Sequence, residues 1–236
     1  MTDPAFPDGG LAVVIGAGGG IGAAVAKALD QSGGFARTMG LGRSGTPAID
    51  ITDEDSVAAA AQAAKTAGLP LRLLFVASGF LHGGAFRPER ALRDLSPAHM
   101  AKAFAVNAIG PALVLKHFVP LLPQNGKAVL ALLSAKVGSI GDNRLGGWHA
   151  YRASKAALNQ IVRTAAIEIA RSRPEAICVA LHPGTVATPL SAPFAKNGLD
   201  VRPPDVAARQ LLDVIAGIEP RHSGGFLDYR GGALPW

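Results

Sequence analysis

The chain has 236 residues, of which 49% are hydrophobic and 17% are charged. A chain of this length and composition can bury a sizeable core, and it has too few charges for long disordered tails. The formal net charge is +6, but the basic residues are scattered and form no run of five or more. Nucleic-acid-binding proteins concentrate basic residues on one face or tail, so we exclude that class and expect a mild attraction for small anionic ligands.

Cysteine content and the N-terminal sequence indicate a reducing compartment. Cys178 is the single cysteine, so the chain cannot form an internal disulfide, and its apolar neighbours indicate a core position. Residues 1–10 lack the basic and apolar regions of a signal peptide. No apolar stretch reaches ~18 residues without a charge or a turn former. We therefore predict a cytoplasmic protein with no membrane partner, and disorder in residues 1–9.

Short apolar runs alternate with segments of helical spacing along the chain. Continuously apolar runs predict strands buried on both faces, at residues 11–15, 38–41, 71–77, 127–133, 176–181 and 226–229. Helical spacing and alanine-rich composition predict helices at residues 21–31, 53–67, 97–122, 151–171 and 203–216. The third helix is expected to be kinked or loosened near Gly110-Pro111.

This alternation predicts an α/β fold with a doubly wound parallel sheet of about seven strands and helices on both faces. No linker, composition shift or internal repeat divides the sequence. Residues 1–236 are therefore interpreted as a single domain.

A glycine-rich loop follows the first predicted strand and leads into the first predicted helix. A helix N-terminus offers free N–H groups and a partial positive charge, and glycines let the backbone approach a pyrophosphate without Cβ atoms in the way. Tight turns also use glycine, but this position in an alternating α/β chain is typical of a Rossmann-type dinucleotide site. The candidate cofactor-binding residues are Gly16, Gly18, Gly19, Gly20, Ile21 and Gly22.

The end of the second predicted strand bears on the choice between NAD and NADP. An acidic residue there would bind the ribose 2′-hydroxyl, but the chain has Arg43 and Ser44, which could bind a 2′-phosphate. The alternative is that Arg43 is an ordinary surface arginine. Asp50 lies beyond the strand and is better placed for the adenine edge, and Ile51 is counted with it as cofactor-binding. These residues predict NADP, with NAD as the alternative.

Tyr151 and Lys155 stand four residues apart at the start of a predicted helix, so they lie on the same side of it. A free tyrosine has a pKa of ~10, and lowering that pKa by ~3 units requires a preference of ~4 kcal/mol for the phenolate. One positive charge ~4 Å away supplies about that energy at an effective dielectric constant of ~20. We therefore expect Lys155, together with a cationic oxidised nicotinamide, to lower the pKa of Tyr151.

Four motifs occur in a fixed order over essentially the whole chain: Gly16-x-x-x-Gly20-x-Gly22, Asn107, Tyr151-x-x-x-Lys155 and Pro183-Gly184. In order and spacing they resemble the short-chain dehydrogenase/reductase family. Residues 138–143 and 147–155 further resemble the branch of that family that holds C-factor-type cell–cell signalling proteins, and residues 225–229 and 232–236 support this resemblance. The resemblance implies that the single domain binds a nicotinamide dinucleotide and is catalytic.

The resemblance also implies roles for the catalytic residues. Tyr151 would be the acid and base, while Lys155 would hold the cofactor ribose and lower the pKa of Tyr151. Asn107 would support a water relay to the lysine, with a polar helix residue making a local bond as the alternative. A serine after the fifth strand of the family binds the substrate oxygen.

Two positions depart from the family's pattern. The serine usually stands three residues before a glycine, a position that Ala135 occupies in this chain. Ser134 and Ser139 are the remaining candidates, and Ser134 is favoured because it ends the strand. The family's Asn-Asn-Ala-Gly is replaced by residues 76–79. Backbone contact with the adenosine is still expected there, from Ala77, Ser78 and Gly79.

The end of the next predicted strand completes the implied cofactor site with Pro183, Gly184, Val186 and Thr188. His82, His149 and His182 stand near the predicted mouth of the site, but no ligand pair has helical or hairpin spacing, so no metal is expected. The loop at residues 189–202 is apolar and is expected to line the substrate pocket.

The sequence thus favours an NADP-dependent reductase of a carbonyl compound, or the reverse oxidation of an alcohol. The alternative is a non-catalytic cofactor-binding protein with a signalling or sensing role on the same fold. The predicted helices at 97–122 and 151–171 carry small apolar residues beyond one face. A surface helix normally has one apolar stripe, so we expect a homodimer or a homotetramer built through these helices.

Overall fold

The computed structural model describes residues 6–45, 47–194 and 200–236. At its centre lies a parallel sheet of six strands in the order β2-β1-β3-β4-β5-β8. The strands are β1 Leu11–Ile15, β2 Arg37–Leu41, β3 Leu71–Val76, β4 Ala128–Leu133, β5 Ala176–His182 and β8 Phe226–Asp228. Two further strands, β6 Thr185–Val186 and β7 Val201–Arg202, pair only with each other. The main sheet therefore has one strand fewer than the seven expected, since these two lie off it.

Within the described residues, six α-helices surround the sheet, with helices on both of its faces. They are α1 Gly20–Ser32, α2 Glu54–Thr66, α3 Pro97–Phe104, α4 Gly110–Phe118, α5 His149–Ala170 and α6 Pro204–Gly217. Helices α2, α4 and α5 pack on one face of the sheet, and α1 and α6 pack on the other. The inner strands are buried along their whole length, as their continuous apolar runs predicted. The predicted doubly wound α/β fold is confirmed.

The long helix predicted at residues 97–122 is interrupted. Helix α3 ends at Phe104, a π-helical turn covers Ala105–Ile109, and α4 begins at Gly110 with Pro111 in its first turn. A Cβ atom at Gly110 would lie 2.7 Å from the backbone oxygen of Ile51. Glycine therefore lets α4 approach the segment after β2 closely, and the predicted irregularity begins just before it.

Length and composition alone would allow Pro97–Leu121 to cross a membrane, with a mean hydropathy of 1.4. Because 39% of that window is buried inside the protein, and core helices pass the same criterion, this is weak evidence for a membrane span. At the other end of the chain, residues 1–5 of the segment expected to be disordered lie outside the described residues. Phe6 of the same segment packs its ring 5.1 Å from that of Phe35.

Substituting Gly110→Ala should destabilise the protein by ~1–3 kcal/mol, because the added methyl group meets backbone that cannot move aside cheaply. Gly217→Ala is the matched control, since a Cβ atom there, at the end of α6, meets nothing within 4 Å. Urea denaturation of both variants measures the difference. Equal stability of the two variants would show that α4 does not depend on this close approach.

Candidate active site at the carboxyl ends of the strands

The candidate residues gather where the central parallel strands end. The glycine loop follows β1, Gly79 follows β3, Ser134 follows β4, and the Pro183-Gly184 turn follows β5. Crevices at the carboxyl ends of such strands are the usual ligand sites of doubly wound sheets.

The glycine loop forms a cradle that side chains could not share. A Cβ atom at Gly22 would collide with the carbonyl oxygen of Gly16, and one at Gly16 would lie 3.0 Å from the backbone of Ala77. The residue preceding α1, Gly19, provides no side-chain cap, so the first N–H groups of the helix have no such partner. At Gly18 a Cβ atom would meet open space. Free N–H groups, a helix N-terminus and an open side fit a bound pyrophosphate.

The segment after β5 lies directly over this cradle. A Cβ atom at Gly20, the first residue of α1, would be 2.7 Å from Cγ2 of Thr188. Thr188, which the sequence predicted to contact a phosphate, therefore lies at the start of α1. Val186, in β6, is 3% exposed, so its side chain serves the core and only its backbone is left for a ligand.

Arg202 holds the Pro183-Gly184 turn, a role that the sequence did not indicate. Its guanidinium group donates to the carbonyl oxygen of Pro183 and to the side chain of Gln210, and it lies 3.4 Å above the ring of Tyr229. Gly184 has a φ of 70° and no room for a Cβ atom beside the guanidinium. The turn is therefore packed on a buried cation from β7.

The end of β2 lies beside the glycine loop, as the NADP hypothesis requires. A Cβ atom at Gly42 would be 3.3 Å from the backbone nitrogen of Gly18. Arg43 and Ser44 follow and are both exposed. Within the described part of the chain, Arg43 has no hydrogen-bonded or ion-pair partner. An exposed guanidinium without an acidic partner is available for an anionic ligand.

Asp50 and Ile51 are less available than the sequence suggested. Hydrogen bonds from the hydroxyl and the backbone N–H of Thr52, at 2.7 and 2.9 Å, lower the pKa of Asp50 and engage its Oδ1 atom. Ile51 is 7% exposed, and its side chain lies in the core facing Gly110. A ligand at Ile51 would therefore meet its backbone and not its side chain.

Tyr151 and Lys155 lie in the first turns of α5 and are almost completely buried, with 9% and 2% exposure. The amino group of Lys155 donates to the carbonyl oxygen of Leu133, at 2.8 Å, and lies 5.9 Å from the centre of the Tyr151 ring. Burial raises the pKa of Tyr151 to about 12 and lowers the pKa of Lys155 to about 7.

The expectation that Lys155, together with a cationic nicotinamide, lowers the pKa of Tyr151 concerns the protein with bound cofactor and stays a prediction. In the protein without cofactor, desolvation determines the pKa shifts of both groups. Both side chains are buried away from water, and the amino group of Lys155 is directed at a backbone carbonyl oxygen and not at the phenol. A lysine that is half neutral near pH 7 exerts a weaker field on the phenol. Tyr151 therefore keeps its proton at neutral pH in the protein without cofactor.

Asn107 lies in the π-helical turn and is fully buried. Its Oδ1 atom accepts from the N–H of Phe80, and its Nδ2 atom donates to the carbonyl oxygen of Phe80 and to the Ser154 hydroxyl, at 2.7, 2.8 and 3.0 Å. A Cβ atom at Gly79 would lie 3.8 Å from Oδ1 of Asn107 and 4.0 Å from Nζ of Lys155. Asn107 thus clamps the segment after β3 onto α5, next to the lysine.

Neither candidate serine is placed to bind a substrate oxygen. The hydroxyl of Ser134 is 3% exposed and donates to Oδ1 of Asn159 on α5, at 2.6 Å. That of Ser139 is 1% exposed and accepts from the backbone N–H of Asp142. Ser134, which the sequence favoured, points into the helix layer because its hydroxyl donates to the buried Oδ1 atom of Asn159 there. The partly exposed position between them, Ala135, has no hydroxyl.

The histidines near the site are engaged or poorly basic. Nε2 of His82 lies 3.0 Å from the carbonyl oxygen of Leu190. Burial lowers the pKa of His182 to about 4, so it is neutral at physiological pH. Among the residues that the structure describes, no three metal-ligating side chains are grouped.

Trp148 and Glu89 are site residues that the sequence analysis missed. Trp148 has a φ of 53°, a conformation that costs a non-glycine residue of order 1–3 kcal/mol, and its ring packs edge-on against those of Tyr151 and Phe194. Together with Glu89, Phe86 and Phe194 it lines a cavity of about 1110 Å³. No signal in the sequence marks Glu89, because Ala150, the helix residue that it binds, lies 61 residues away. Of the loop expected to line the pocket, residues 195–199 lie outside the described residues.

With the fold and this arrangement established, comparison with known proteins identifies the family. The family described as Enoyl-(Acyl carrier protein) reductase matches residues 16–202. The chain belongs to the short-chain dehydrogenase/reductase family. The C-signal protein of Myxococcus xanthus is 41% identical over 147 residues, which cover 62% of this chain and 84% of that protein. The predicted resemblance to the C-factor-type branch is confirmed.

Other short-chain dehydrogenases/reductases cover more of the chain. The 1-hydroxy-2-glutathionyl-2-methyl-3-butene dehydrogenase of a Rhodococcus species is 30% identical over 190 residues, or 80% of this chain and 79% of that enzyme. The NADPH-bound carbonyl reductase from chicken fatty liver superposes with a TM-score of 0.83 at 25% identity, covering 100% and 97% of the two chains. These similarities support an oxidoreductase of the carbonyl reductase kind.

The buried Lys155 predicts a pH-dependent stability of the protein without cofactor. Its pKa is about 7 in the folded protein and ~10.4 in the unfolded chain, so the unfolded chain binds the extra proton between these values. The free energy of unfolding should therefore rise as the pH goes from 7 to 9, by at most ~1.4 kcal/mol per pH unit. Tyr151 acts in the opposite sense, but only above pH ~10.

Urea denaturation at several pH values measures this rise. Lys155→Met should flatten it, while Lys65→Met, at an exposed position on α2, should leave it unchanged. A rise of the same size in Lys155→Met would show that other groups carry it.

Proposed function

We propose that the protein reduces a carbonyl compound with NADPH and that Tyr151 donates the proton. The observation that carries the proposal is the buried pair of Tyr151 and Lys155 beside a cradle of glycines. A phenol that keeps its proton at neutral pH can protonate a carbonyl oxygen, whereas alcohol oxidation needs a base. We propose carbonyl reduction as the reaction in which this phenol gives up its proton, and oxidation of the alcohol as its reverse.

The site residues would bind NADP(H) in the manner expected from the sequence. The glycine loop and the N-terminus of α1 would hold the pyrophosphate, with Thr188 above them. Arg43 and Ser44 would bind the 2′-phosphate, and the backbone of residues 77–79 would contact the adenosine. When bound, this cofactor supplies the hydride. Lys155 would donate to the ribose in place of, or in addition to, the Leu133 carbonyl oxygen.

Within this proposal Tyr151 works without a neighbouring serine. Ala135 provides no donor, and the hydroxyls of Ser134 and Ser139 are engaged with Asn159 and Asp142. The phenol alone would then donate to the substrate oxygen. Asn107, whose amide group is committed to Phe80 and Ser154, would keep the lysine's surroundings in place, and the proposed water relay would use its Oδ1 atom.

The cavity beside Trp148 is the proposed site for the body of the substrate. It is lined by aromatic rings and proline on several sides, and Trp148 also contacts the ring of Tyr151. The lining also includes the charged residues Arg87, Glu89, Arg90 and Asp94. A carbonyl compound with both an apolar body and polar substituents, whose reacting group reaches past Trp148, would fit these walls. Small carbonyl substrates of that kind are the proposed partners.

The second candidate function is cofactor binding without turnover in a signalling or sensing role. Two observations favour it: the similarity to C-signal and the alanine at position 135. Recording NADPH absorbance with a panel of aliphatic and aromatic aldehydes and ketones separates the two functions. Cofactor binding with no oxidation of NADPH across the panel would favour the sensor.

We also propose that the protein is cytoplasmic and that it forms a homodimer or a homotetramer. A groove of about 510 Å³ between α4 and α5 is lined by apolar residues, among them the small Ala112 and Ala165, and by polar ones such as Gln160 and Thr164. Small side chains permit close packing of two such faces across a two-fold axis. Light scattering at micromolar concentration should give a multiple of 24.1 kDa, and the mass of one chain would refute the assembly.

Substituting Tyr151→Phe should abolish turnover while leaving NADPH affinity and thermal stability nearly unchanged, because only a hydroxyl is removed. Lys155→Ala should weaken both NADPH affinity and turnover, since the lysine is proposed to serve both. Lys65→Ala is the control for loss of an exposed lysine. Stopped-flow oxidation of NADPH and fluorescence titration provide the two readouts. Full activity in Tyr151→Phe would refute the proposed mechanism.

Substituting Arg43→Ala should weaken NADPH binding by about tenfold or more, because a charge-assisted phosphate contact contributes ~1.5–3 kcal/mol. NADH, which lacks the 2′-phosphate, should bind nearly as before. Arg221→Ala removes another exposed arginine, far along the chain, and serves as the control. An equal loss for both cofactors would show that Arg43 does not contact the phosphate.

A further inference from the structure

The helix that carries Tyr151 has no N-terminal cap of its own. Helix α5 begins at His149, and the preceding residue, Trp148, has a left-handed conformation and provides no side-chain hydrogen bond. No acidic residue occurs in the first turn of α5. Since Tyr151 lies in that same turn, any fraying of the helix start would displace the phenol.

Glu89, from the loop between β3 and α3, contacts the helix start instead. Its Oε2 atom accepts from the backbone N–H of Ala150 at 3.2 Å, and its carbonyl oxygen accepts from that of Trp148 at 2.6 Å. The side chain is 1% exposed. A carboxylate at this place satisfies a helix N–H group and complements the positive end of the helix dipole.

The loop and the helix start fit against each other without spare room. Gly147 has a φ of 65°, and a Cβ atom there would lie 3.3 Å from the carbonyl oxygen of Glu89. The left-handed Trp148 is the only non-glycine residue with positive φ among those that the structure describes. Contacts from Glu89 and from the ring of Tyr151 hold it in this unfavourable conformation.

His99 fixes Glu89 from behind. Its Nδ1 atom lies 3.1 Å from Oε1 of Glu89, close but not aligned as a hydrogen bond. The imidazole, 3% exposed, stacks on Phe86 at 5.1 Å and meets Phe80 edge-on at 5.8 Å. Because the backbone of Phe80 is clamped by Asn107, the contacts run unbroken from the π-helical turn to the start of α5.

We propose that Glu89 is a positioning residue for Tyr151. It acts through the N–H groups of Trp148 and Ala150, and it keeps the first turn of α5 wound so that the phenol faces the substrate at hydrogen-bonding distance. The proposal rests on the proposed role of Tyr151 as proton donor. Positioning of this kind matters because a misplacement of about 1 Å can cost a hundredfold in rate.

The test compares Glu89→Met, which removes the acceptor, with Glu89→Gln, which keeps an oxygen for the Ala150 N–H. Glu54→Met is the matched control, because Glu54 is an acidic residue in the first turn of a different helix, α2. We expect kcat for carbonyl reduction to fall about 10- to 100-fold in Glu89→Met, with NADPH affinity within about threefold of the unmodified protein. Glu89→Gln should recover most of the loss, and Glu54→Met should show none.

Hydrogen exchange gives a readout that does not depend on turnover. Amides at the start of α5 should exchange faster in Glu89→Met and not in Glu54→Met, while the later turns of α5 stay protected. If Glu89→Met does not fold, Glu89→Asp, which keeps the charge but shortens the side chain by one methylene, should show an intermediate loss of kcat with the same local exchange.

The outcomes separate the two proposals. No carbonyl turnover in the unmodified protein defeats the proposed function, and the exchange data then decide alone whether Glu89 holds the helix start. Unchanged kcat in Glu89→Met with normal turnover in the unmodified protein overturns the positioning role. The positioning role is also overturned if kcat falls as far in Glu89→Gln as in Glu89→Met. It is overturned as well if Glu89→Met loses NADPH affinity in parallel with kcat, because such a loss marks a general structural defect.

Discussion

The amino group of Lys155 is buried below the ends of β3 and β4, and the neighbouring residues accommodate this buried amino group. The carbonyl oxygen of Leu133 receives the amino group. Gly138 has no Cβ atom because one would lie 2.7 Å from Cβ of Lys155, and Gly79 leaves the space above Nζ open. A cation in such a space costs free energy unless an anion or a polar ligand arrives to pair with it.

The free-energy cost of burying the Lys155 cation affects the protonation of both Lys155 and Tyr151. The protein alone relieves part of it by lowering the pKa of Lys155, and the same lack of water keeps the proton on Tyr151. In the proposed function, these protonation states suit the donation of a proton from Tyr151 to a carbonyl oxygen. Asn107 contributes by fixing the chain next to the lysine, so the π-helical turn in which it lies has a purpose in the site as well as in the packing of α4.

Local patterns were sufficient to predict the parts of the fold whose partners are near in sequence or repeat regularly. All six sheet strands and the glycine loop belong to this group, because most of these strands are buried apolar runs and a phosphate cradle needs glycine at set spacings. The start of α5 was placed two residues late, since its cap comes from Glu89, 61 residues upstream of Ala150. Arg202 was missed for the same reason.

The side-chain directions and protonation states could not be predicted. Ser134 ends β4 as expected, yet its hydroxyl is directed at Asn159, a buried acceptor that no spacing rule connects with it. The sequence-based argument for the pKa of Tyr151 counted the charges of Lys155 and the nicotinamide, and it left out burial, which raises this pKa in the protein without cofactor. Desolvation depends on the whole packed surroundings of a group, which a short motif does not contain.

The pairing of β6 with β7 affects which changes of sequence the protein can accommodate. The N–H of Ala187 bonds to the carbonyl oxygen of Arg202, so the segment between these strands is closed at its base, and the guanidinium of Arg202 anchors that base to the Pro183 carbonyl oxygen. Residues inserted, deleted or exchanged in the middle of the segment would leave the turn over the glycine loop in register. The substrate contacts proposed for the segment beyond Thr188 can therefore vary while the turn proposed to hold the cofactor keeps its position.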